Sequence, residues 1–330
     1  MKVLVTGGTG YIGSHTCVEL QKAGYEVFIV DNLVNSSADT VDKIESITGI
    51  RPEFVEADLR DRDMMEKIFS ENDFYAVIHF AGLKAVGESV AKPLLYYNCN
   101  IGGTIVLLET MQKFGCNRIV FSSSATVYGS PKTVPITEDF ELSTTNPYGS
   151  TKLYIEGILK DVNKANPDFK VMLLRYFNPI GAHESGLLGE KPNGIPNNLM
   201  PRIIDVAKGK TEAITIFGKD YPTHDGTGVR DYIHVVDLSI GHIKALENMD
   251  KTDVGIYNLG TGTGYSVLDL VDTFNRVNNL NVPTKDCPRR PGDVAACYAD
   301  PKKAFEELGW KAELGIEEMC RSSWNFAKNY

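Results

Sequence analysis

Apolar residues in the first half of the chain follow two alternating patterns. Short β-branched runs predict buried strands at 2–7, 26–31, 75–82, 117–124 and 169–178. Apolar residues spaced three and four apart predict helices at 11–24, 61–71, 93–115 and from Tyr148 to about Lys164. Strands that alternate with helices form parallel sheets with right-handed crossovers. The pattern therefore predicts the α/β class, with a doubly wound parallel sheet of the Rossmann type.

The alternation stops after Asn178. Residues 179–230 are rich in Gly, Pro, Asn and His and contain one predicted helix, at 199–209. The regular apolar pattern at 229–249 then predicts that the chain returns to the first sheet. We predict a Rossmann-type domain at 1–178, rejoined by about 229–249, and a smaller α/β domain at 179–330.

Composition and charge narrow the classes of function. The chain is 42% hydrophobic and 23% charged, with a net charge of −9 and no run of Lys or Arg. This balance argues against a nucleic-acid or membrane partner. The chain has no apolar stretch of about 18 residues, no secretory signal, and no cysteine spacing typical of zinc sites or disulfide scaffolds. We expect a cytoplasmic protein with free thiols and no bound metal.

The segment TGGTGYIG (6–13) joins the first strand to the first helix. Gly7, Gly10 and Gly13 permit a tight turn and a close approach of the backbone to a pyrophosphate, which would rest on the helix N-terminus; Gly8 offers an alternative spacing. Asp31 ends the second strand, where a carboxylate accepts hydrogen bonds from a ribose diol and repels a 2′-phosphate. The combination predicts NAD rather than NADP.

A tyrosine and a lysine lie four residues apart in NPYGSTK (146–152), on one face of a helix. A phenol has a pKa of about 10, and positive neighbours favour its ionised form. We predict that Lys152 and a nicotinamide cation lower the pKa of Tyr148, so that Tyr148 removes a proton from an alcohol. Ser124, at the end of the strand that enters SSS, would share a hydrogen bond with that hydroxyl group.

The chain resembles the extended short-chain dehydrogenase/reductase family in several motifs: TGGTGYIG, Asp31, HFAGLKAVGES, SSSATVYG and the Tyr148–Lys152 pair. The resemblance runs from Met1 to about Trp310 and includes the segments RYFNPIGAH, GIPNNLMP, DGTGVRDYIHV, YNLGTG and RRPGD. With these segments the chain resembles the branch of the family that epimerises UDP-hexoses at C4. This resemblance implies interconversion of UDP-glucose and UDP-galactose through a 4-ketopyranose, with tightly held NAD⁺. It also implies a homodimer that forms through the 93–115 and Tyr148 helices.

The resemblance assigns binding roles to individual residues. The implied cofactor contacts are Gly7, Gly10, Tyr11, Ile12, Gly13, Asp31, Asn32, Asn35, Ser36, Asp58, Leu59, Phe80, Ala81, Gly82, Lys84, Tyr148, Lys152, Tyr176 and Phe177. The implied UDP-sugar contacts are Lys84, Ser124, Ala125, Thr126, Tyr148, Phe177, Asn178, Asn197, Asn198, Leu199, Thr215, Ile216, Phe217, Arg230, Arg290, Asp293 and Cys297. Arg230 and Arg290 would bind the diphosphate, Asp293 the uridine ribose, and residues 215–217 the uracil. Asp58 either lies near the adenine or caps the following helix.

Two positions depart from the pattern of the family. Cys99 stands where some members carry an asparagine near the cofactor, and Cys297 stands where some members carry a tyrosine that closes the sugar pocket. A cysteine is much smaller than a tyrosine and leaves room for an acetamido group. We therefore predict activity on UDP-N-acetylglucosamine and UDP-N-acetylgalactosamine as well.

Four alternatives share parts of this pattern. A nucleotide-sugar 4,6-dehydratase uses the same fold but carries an Asp-Glu pair after the threonine, where this chain has Val127 and Tyr128. Another nucleotide-sugar epimerase would release a different sugar product, and a simple dehydrogenase would release NADH. A non-catalytic dinucleotide sensor would not need Ser124, Tyr148 and Lys152 together.

Overall fold

The computed structural model describes residues 1–194, 196, 198–290 and 293–330. Its strands are, in chain order, β1 Lys2–Thr6, β2 Glu26–Asp31, β3 Glu53–Glu56, β4 Ala76–His79, β5 Arg118–Ser124, β6 Lys170–Tyr176, β7 Asn178–Ile180, β8 Ile214–Phe217, β9 Val229–His234, β10 Val254–Leu259, β11 Gly264–Ser266, β12 Thr284–Cys287 and β13 Ala296–Cys297. Its α-helices are α1 Tyr11–Lys22, α2 Asp39–Thr48, α3 Arg62–Glu71, α4 Val86–Ala91, α5 Pro93–Tyr96, α6 Gly103–Lys113, α7 Pro147–Ala165, α8 Leu199–Ala207, α9 Val235–Glu247, α10 Val267–Asn278, α11 Lys302–Leu308 and α12 Ile316–Ala327.

A seven-stranded sheet has the order β10-β6-β5-β4-β1-β2-β3. From β6 to β3, every pair of neighbours is parallel. Because neighbouring parallel strands end at one edge, the carboxyl ends of β1, β2, β4, β5 and β6 lie along the edge where doubly wound folds bind ligands. The predicted doubly wound α/β fold is confirmed.

The chain forms two compact units. The first consists of Met1–Gly129, Glu141–Tyr176 and Ser239–Tyr257, and the second of Ser130–Phe140, Phe177–Leu238 and Asn258–Tyr330. The return to the first unit therefore spans 239–257, whereas the sequence pattern suggested 229–249. The reason is that β9 pairs within the second unit, and β10 is the strand that extends the seven-stranded sheet.

The second unit contains two small sheets and its own core. One sheet has β9 at its centre, with β7, β11 and β13 as partners, and the other pairs β8 with β12. Helices α8, α10 and α12 supply buried side chains such as Ile203, Phe274 and Met319 to one hydrophobic cluster. Burial of such side chains contributes about 1.5–3 kcal/mol each to folding.

The predicted helix at 93–115 is continuous but not uniform. It begins as α5, widens into a π-helical turn at Tyr97–Gly102, and continues as α6. A π-helical turn accommodates an extra residue and changes the direction of the side chains that follow. This turn brings Asn100 into the interior of the first unit, where it is 3% exposed.

All six cysteines are free thiols. Within the described parts of the chain, no helix combines the length and hydropathy that crossing a bilayer requires.

Candidate active site

The turn between β1 and α1 requires glycine for two reasons. Gly7 has a φ of 73°, and a Cβ there would lie 2.8 Å from the backbone nitrogen of Ala81. A Cβ on Gly13 would lie 2.2 Å from the carbonyl oxygen of Gly7, so the first turn of α1 packs directly on the loop. Gly10 precedes α1 and has no side chain to cap it. The first N–H groups of this helix can therefore bind an anion such as a pyrophosphate.

Asp31 lies at the carboxyl end of β2, and its side chain is nearly buried. Its Oδ2 accepts a hydrogen bond from the backbone nitrogen of Thr9 at 3.2 Å. Its Oδ1 accepts from the backbone nitrogen of Leu33 at 2.9 Å and from the hydroxyl group of Ser36 at 3.0 Å. These bonds orient the carboxylate and leave it part of its acceptor capacity. The arrangement fits the adenosine ribose of NAD.

Asp58 is held by a charged neighbour and does not cap a helix. Arg60 donates from Nε and Nη2 to the two carboxylate oxygens at 2.8 Å each, and Asn32 donates to Oδ2 at 3.0 Å. The hydrogen bonds from Arg60 keep the pKa of Asp58 well below its usual range. The cap of α3 is Asp61, whose side chain accepts from Met64. Of the two alternatives for Asp58, the helix cap is therefore wrong.

Cys99 lies next to this ion pair. Its thiol interacts electrostatically with both Arg60 and Asp58, and burial raises its pKa. Position 99, where this chain departs from the family pattern, therefore lies next to the Arg60–Asp58 ion pair. Asp58 is a predicted cofactor-binding residue. The thiol is a weaker hydrogen-bond donor than the amide that some family members have there.

Asn100 fixes the segment that follows β4. Its Nδ2 donates to the carbonyl oxygen of Leu83 and to the hydroxyl of Thr151, both at 3.0 Å, and its Oδ1 accepts from the backbone nitrogen of Leu83 at 2.8 Å. The predicted cofactor residues Gly82 and Lys84 flank Leu83. Sequence reasoning missed Asn100; the adjacent Gly102–Gly103 pair is the only local signal of an irregular helix.

His79 is a buried structural residue. Its Nδ1 is 2.7 Å from the hydroxyl of Thr6, and its Nε2 is 2.9 Å from the hydroxyl of Thr104. Burial, with a smaller contribution from the charge of Lys152, lowers the pKa of His79 to about 3. The ring is therefore neutral at physiological pH and connects β1, β4 and α6.

Tyr148 lies in the first turn of α7. Asn146 caps this helix by accepting a hydrogen bond from the backbone nitrogen of Gly149 at 2.9 Å, and Pro147 occupies the first turn. The side chain of Ser124 is the polar neighbour that acts on the pKa of the Tyr148 phenol. Burial raises the pKa of Tyr148, and the side chain of Ser124 opposes part of that rise.

Lys152 lies one turn further along α7 and is 6% exposed. Its Nζ donates to the carbonyl oxygen of Ser122 at 2.6 Å and lies 4.8 Å from the centre of the Phe121 ring. Burial lowers the pKa of Lys152 to about 8. The lowering of the Tyr148 pKa by Lys152 together with a nicotinamide cation stays a prediction. The hydrogen bond of Lys152 binds α7 to β5, while burial dominates at the phenol.

Thr126, two residues after the predicted catalytic residue Ser124, has a hydroxyl group that a ligand could bind. Its backbone nitrogen donates to the Ser124 hydroxyl at 3.2 Å. Its Oγ1 is buried and has no hydrogen-bond partner among the residues that the structure describes. A buried hydroxyl without a partner costs free energy, which a bound ligand could recover.

The other predicted residues of the first unit differ in exposure. Leu59 packs into the hydrophobic core. Tyr176 is buried and hydrogen-bonded to the hydroxyl of Ser122. The following residues are exposed or half-buried: Tyr11, Ile12, Asn35, Ser36, Phe80, Ala81, Gly82, Lys84 and Ala125.

Two residues predicted to bind different parts of the nucleotide pair with each other. Arg290 donates from Nε and Nη2 to the two carboxylate oxygens of Asp293 at 3.1 and 3.0 Å. The guanidinium also lies 5.6 Å from the centre of the Phe217 ring, whose side chain is partly exposed. The second unit therefore brings together a cation, a carboxylate and an aromatic ring.

Arg230 and Cys297 are neighbours on paired strands. They are register partners between β9 and β13, and Arg230 donates from Nη1 to the carbonyl oxygens of Val229 and Val294 at 2.8 and 2.9 Å. Burial raises the pKa of Cys297 to about 11, so its thiol is protonated and unreactive at neutral pH.

The remaining predicted substrate residues are not equally accessible. The side chain of Ile216 packs in the core of the second unit and is 1% exposed, whereas Thr215 is half-buried. Asn178 and Asn198 are exposed, Leu199 is half-buried and Phe177 is buried. Asn197 lies outside the described residues.

Within the described chain, one group has the residue types of a metal site. His224, Asp225 and Asp269 lie close together. Asp225 already accepts hydrogen bonds from Thr227 and Ser266, and Asp269 completes the capping box of α10. These bonds explain the cluster without an ion, and we assign no metal to it.

Comparison with known proteins places this geometry in a family. The family model described as GDP-mannose 4,6 dehydratase matches residues 4–323. The chain is 61% identical over 327 residues to UDP-glucose 4-epimerase of Bacillus subtilis (strain 168), covering 99% of this chain and 96% of that one. It superposes with a TM-score of 0.96 and 54% identity on UDP-glucose 4-epimerase from Bifidobacterium longum in complex with NAD⁺ and UDP, covering 100% and 98% of the two chains. It also superposes, with a TM-score of 0.88 and 35% identity, on the UDP-Glc/GlcNAc 4-epimerase from Campylobacter jejuni, covering 100% and 99%. The chain therefore belongs to the UDP-glucose 4-epimerase family, a branch of the extended short-chain dehydrogenases/reductases.

Proposed function

We propose that this protein is an NAD-dependent isomerase that interconverts UDP-glucose and UDP-galactose. The observation that carries the proposal is the buried Lys152 on α7, which donates to the carbonyl oxygen of Ser122 at 2.6 Å one helical turn after Tyr148, beside the strand end that carries Ser124. The high identity to curated UDP-glucose 4-epimerases supports the same reaction.

The first unit would bind NAD through groups that the fold already orients. The pyrophosphate would rest on the N-terminus of α1, above Gly7 and Gly10, and the adenosine ribose would bind Asp31. Asp58 and Asn32 would lie towards the adenine. The neighbour from Bifidobacterium longum, crystallised with NAD⁺ and UDP, supports this cofactor.

The proton is handled by the residues of β5 and α7. Bound NAD would supply an acceptor for the hydride on C4 of the sugar and would return it to either face. Tyr148 would take the proton of the 4-hydroxyl group, and Ser124 would orient that hydroxyl. Because burial raises the pKa of Tyr148, the charge of an oxidised nicotinamide would have to favour the phenolate. Lys152 would hold the nicotinamide ribose and keep α7 in register.

The second unit would anchor the nucleotide. Arg230 and Arg290 would bind the diphosphate, because guanidinium groups match phosphate oxygens in forked geometry. Asp293 would accept hydrogen bonds from the uridine ribose, and Phe217 would lie along the uracil. Arg290 must then exchange at least part of its pairing with Asp293 for phosphate. The hexose, held loosely near Ser124 and Thr126, could present either face of its keto form.

We also propose activity on N-acetylated UDP-hexoses. Cys297 is the observation that favours it, because this cysteine, the register partner of Arg230, is much smaller than a tyrosine. The UDP-Glc/GlcNAc 4-epimerase of Campylobacter jejuni is a relative with both substrates in its name.

The dehydratase alternative lacks its acid–base pair here. Val127 is 0% exposed and apolar. Tyr128 is 2% exposed, and its hydroxyl accepts a hydrogen bond from Nη1 of Arg175 at 3.0 Å. Neither residue has a carboxyl group that could remove water across C5 and C6. This composition favours epimerisation over elimination.

We further propose a cytoplasmic homodimer. Helices α4, α5 and α6 carry apolar side chains on the surface, including Val90, Leu94 and Ile105. Exposed apolar residues that cluster on neighbouring helices are typical of protein interfaces. In the family resemblance, the helices at 93–115 and after Tyr148 form a four-helix bundle between subunits.

Product identification tests the reaction. The purified protein is incubated with UDP-galactose, and separately with UDP-N-acetylgalactosamine, without added NAD, and the products are identified by NMR. We expect the two corresponding gluco epimers and no accumulation of NADH. A 4-keto-6-deoxy product would indicate a dehydratase, and net NADH would indicate a simple dehydrogenase.

A further inference from the structure

The end of β5 is bound to α7 at successive helical turns. The carbonyl oxygen of Ser122 accepts from Nζ of Lys152 at 2.6 Å, and the side chain of Ser124 acts on the pKa of Tyr148, one turn earlier on α7. Because residues four apart on a helix share a face, the next position in this series is Glu156. The residue between the two serines, Ser123, reaches that position: its hydroxyl donates to Oε1 of Glu156 at 2.6 Å.

Glu156 is held on its other side by a buried arginine. Arg175 donates from Nε to Oε1 at 2.9 Å and from Nη2 to Oε2 at 2.6 Å. The side chains of Glu156 and Arg175 are 0% and 1% exposed. Arg175 is the register partner of Ser123 between β5 and β6, so the two side chains point to the same face of the sheet. Tyr128 completes the group by accepting from Nη1 of Arg175 at 3.0 Å.

We propose that Ser123, Glu156 and Arg175, here called the Glu156 cluster, are positioning residues for the catalytic pair. The cluster fixes the axial position of α7 against β5, and this position sets the contact between Ser124 and Tyr148. The inference rests on the proposed function for its kinetic test, but the geometry that carries it does not involve a ligand.

The chemistry of the cluster suits positioning better than stabilisation. A buried ion pair contributes little net stability, because the desolvation of both charges offsets their attraction. Its forked hydrogen bonds nevertheless define one distance and one orientation. A shift of about 1 Å in a catalytic group can cost about 100-fold in rate, so a fixed helix position has a large kinetic value.

Ser123→Ala is the mildest test, because it removes one hydrogen bond and leaves the Glu156–Arg175 pair intact. Thr110→Val is the matched control: Thr110 is 1% exposed, and its hydroxyl bonds only within α6, to the carbonyl oxygen of Val106. We expect Ser123→Ala to lower kcat about tenfold, with KM changed less than about twofold and the NAD content unchanged. Thr110→Val should lose similar stability and keep its kcat. Equal kcat values for the two variants would overturn the proposal.

A second variant removes the charges together. Glu156→Gln with Arg175→Met leaves no buried charge unpaired, which keeps the protein foldable where Glu156→Gln alone would strand the guanidinium. We expect this double variant to lose kcat at least as strongly as Ser123→Ala. A folded double variant with the kcat of the wild type would contradict the proposal.

An ionisation measurement separates this proposal from the proposed function. The titration of Tyr148 in the holo protein is followed by phenolate absorbance, as the difference between each protein and its Tyr148→Phe form. Because the side chain of Ser124 lowers the pKa of Tyr148, Ser123→Ala should raise the midpoint of this titration. A shifted midpoint in a protein that does not epimerise would refute the function and keep the positioning role. Normal epimerisation with unchanged midpoint and kcat would refute the positioning role alone.

Discussion

The ammonium group of Lys152 donates a hydrogen bond to the carbonyl oxygen of Ser122 at 2.6 Å, inside a protein interior that lowers the pKa of this lysine to about 8. Lys152 is thus held by the backbone of the strand that also carries Ser124. This anchorage is the contribution of Lys152 that the structure shows.

The first prediction concerns pH and stability. A lysine whose pKa is lower in the folded than in the unfolded state binds fewer protons when folded, so unfolding gains protons and stability rises with pH between about 8 and 10.4. Lys152→Met lacks this titration. The unfolding free energy of the wild type, relative to the variant, should therefore rise by roughly 2 kcal/mol from pH 7 to pH 10. Urea unfolding of both proteins at the two pH values measures it, and a constant difference would show that Lys152 is not destabilised by burial.

The second prediction concerns the proton carrier. Tyr148→Phe should lower kcat about 1,000-fold and leave the bound NAD in place, because the phenol hydroxyl acts only on the proton. Tyr154→Phe is the control: it makes the same change on the same helix, at a side chain that is 54% exposed. The measurements are steady-state kinetics and the cofactor content of each purified protein. Retained turnover in Tyr148→Phe would remove Tyr148 from the mechanism, and equal losses in both variants would point to damage of α7.

The third prediction concerns the choice of cofactor. Asp31→Ser should weaken NAD binding about tenfold and narrow the preference for NAD over NADP, because the ribose loses a charged acceptor and the 2′-phosphate a repulsive neighbour. Calorimetric titration of the apo protein with each dinucleotide tests this. Asp42→Asn, an exposed carboxylate of α2 that pairs with Arg51, should bind both like the wild type. An unchanged ratio of the two affinities in Asp31→Ser would exclude Asp31 as the selector.

The fourth prediction concerns the sugar. Cys297→Tyr should suppress the epimerisation of UDP-N-acetylgalactosamine by at least about tenfold and spare that of UDP-galactose, because the larger side chain removes only the volume for the acetamido group. Cys297→Ser keeps the size and should retain both activities. If Cys297→Tyr lowers both rates equally, the residue does not act as a size filter.

The fifth prediction concerns the subunit interface. Leu94→Asp places a charge on a surface side chain that is 81% exposed and should convert the proposed dimer into a monomer in sedimentation equilibrium. Phe305→Asp makes a comparable change on α11, where the side chain is 58% exposed, and should leave the dimer intact. A dimeric Leu94→Asp protein would place the interface elsewhere.

The sequence predicts those parts of the fold that depend on local patterns. Short-range periodicity and capping predict the glycine turn, β1, α1 and β2. They also predict that Ser124 lies at the end of its strand and Tyr148 near the start of its helix. The π-helical turn at 97–102 was not predicted, because one extra residue within a long apolar helix leaves too short a signal in the pattern on either side. Asn100 was missed for the same reason.

Electrostatics and chain crossings required the three-dimensional structure. The pKa of Tyr148 depends on how far burial outweighs the effect of the Ser124 side chain, and the partner of Lys152 is a backbone carbonyl that has no sequence signal. The segment 130–140 belongs to the second unit although it lies between two elements of the first. Arg290 and Asp293 were assigned to different parts of the nucleotide, and their mutual ion pair emerges only from the loop geometry.

The most direct test of the central claim follows the hydrogen on C4. Purified protein, without added NAD, is incubated in ordinary water with UDP-galactose that carries deuterium at C4, and the product is analysed by mass spectrometry and NMR. If a hydride leaves C4 and returns within one captive cofactor, the UDP-glucose formed retains its deuterium at C4. Replacement of the deuterium by solvent hydrogen, or an absence of UDP-glucose, would contradict the account.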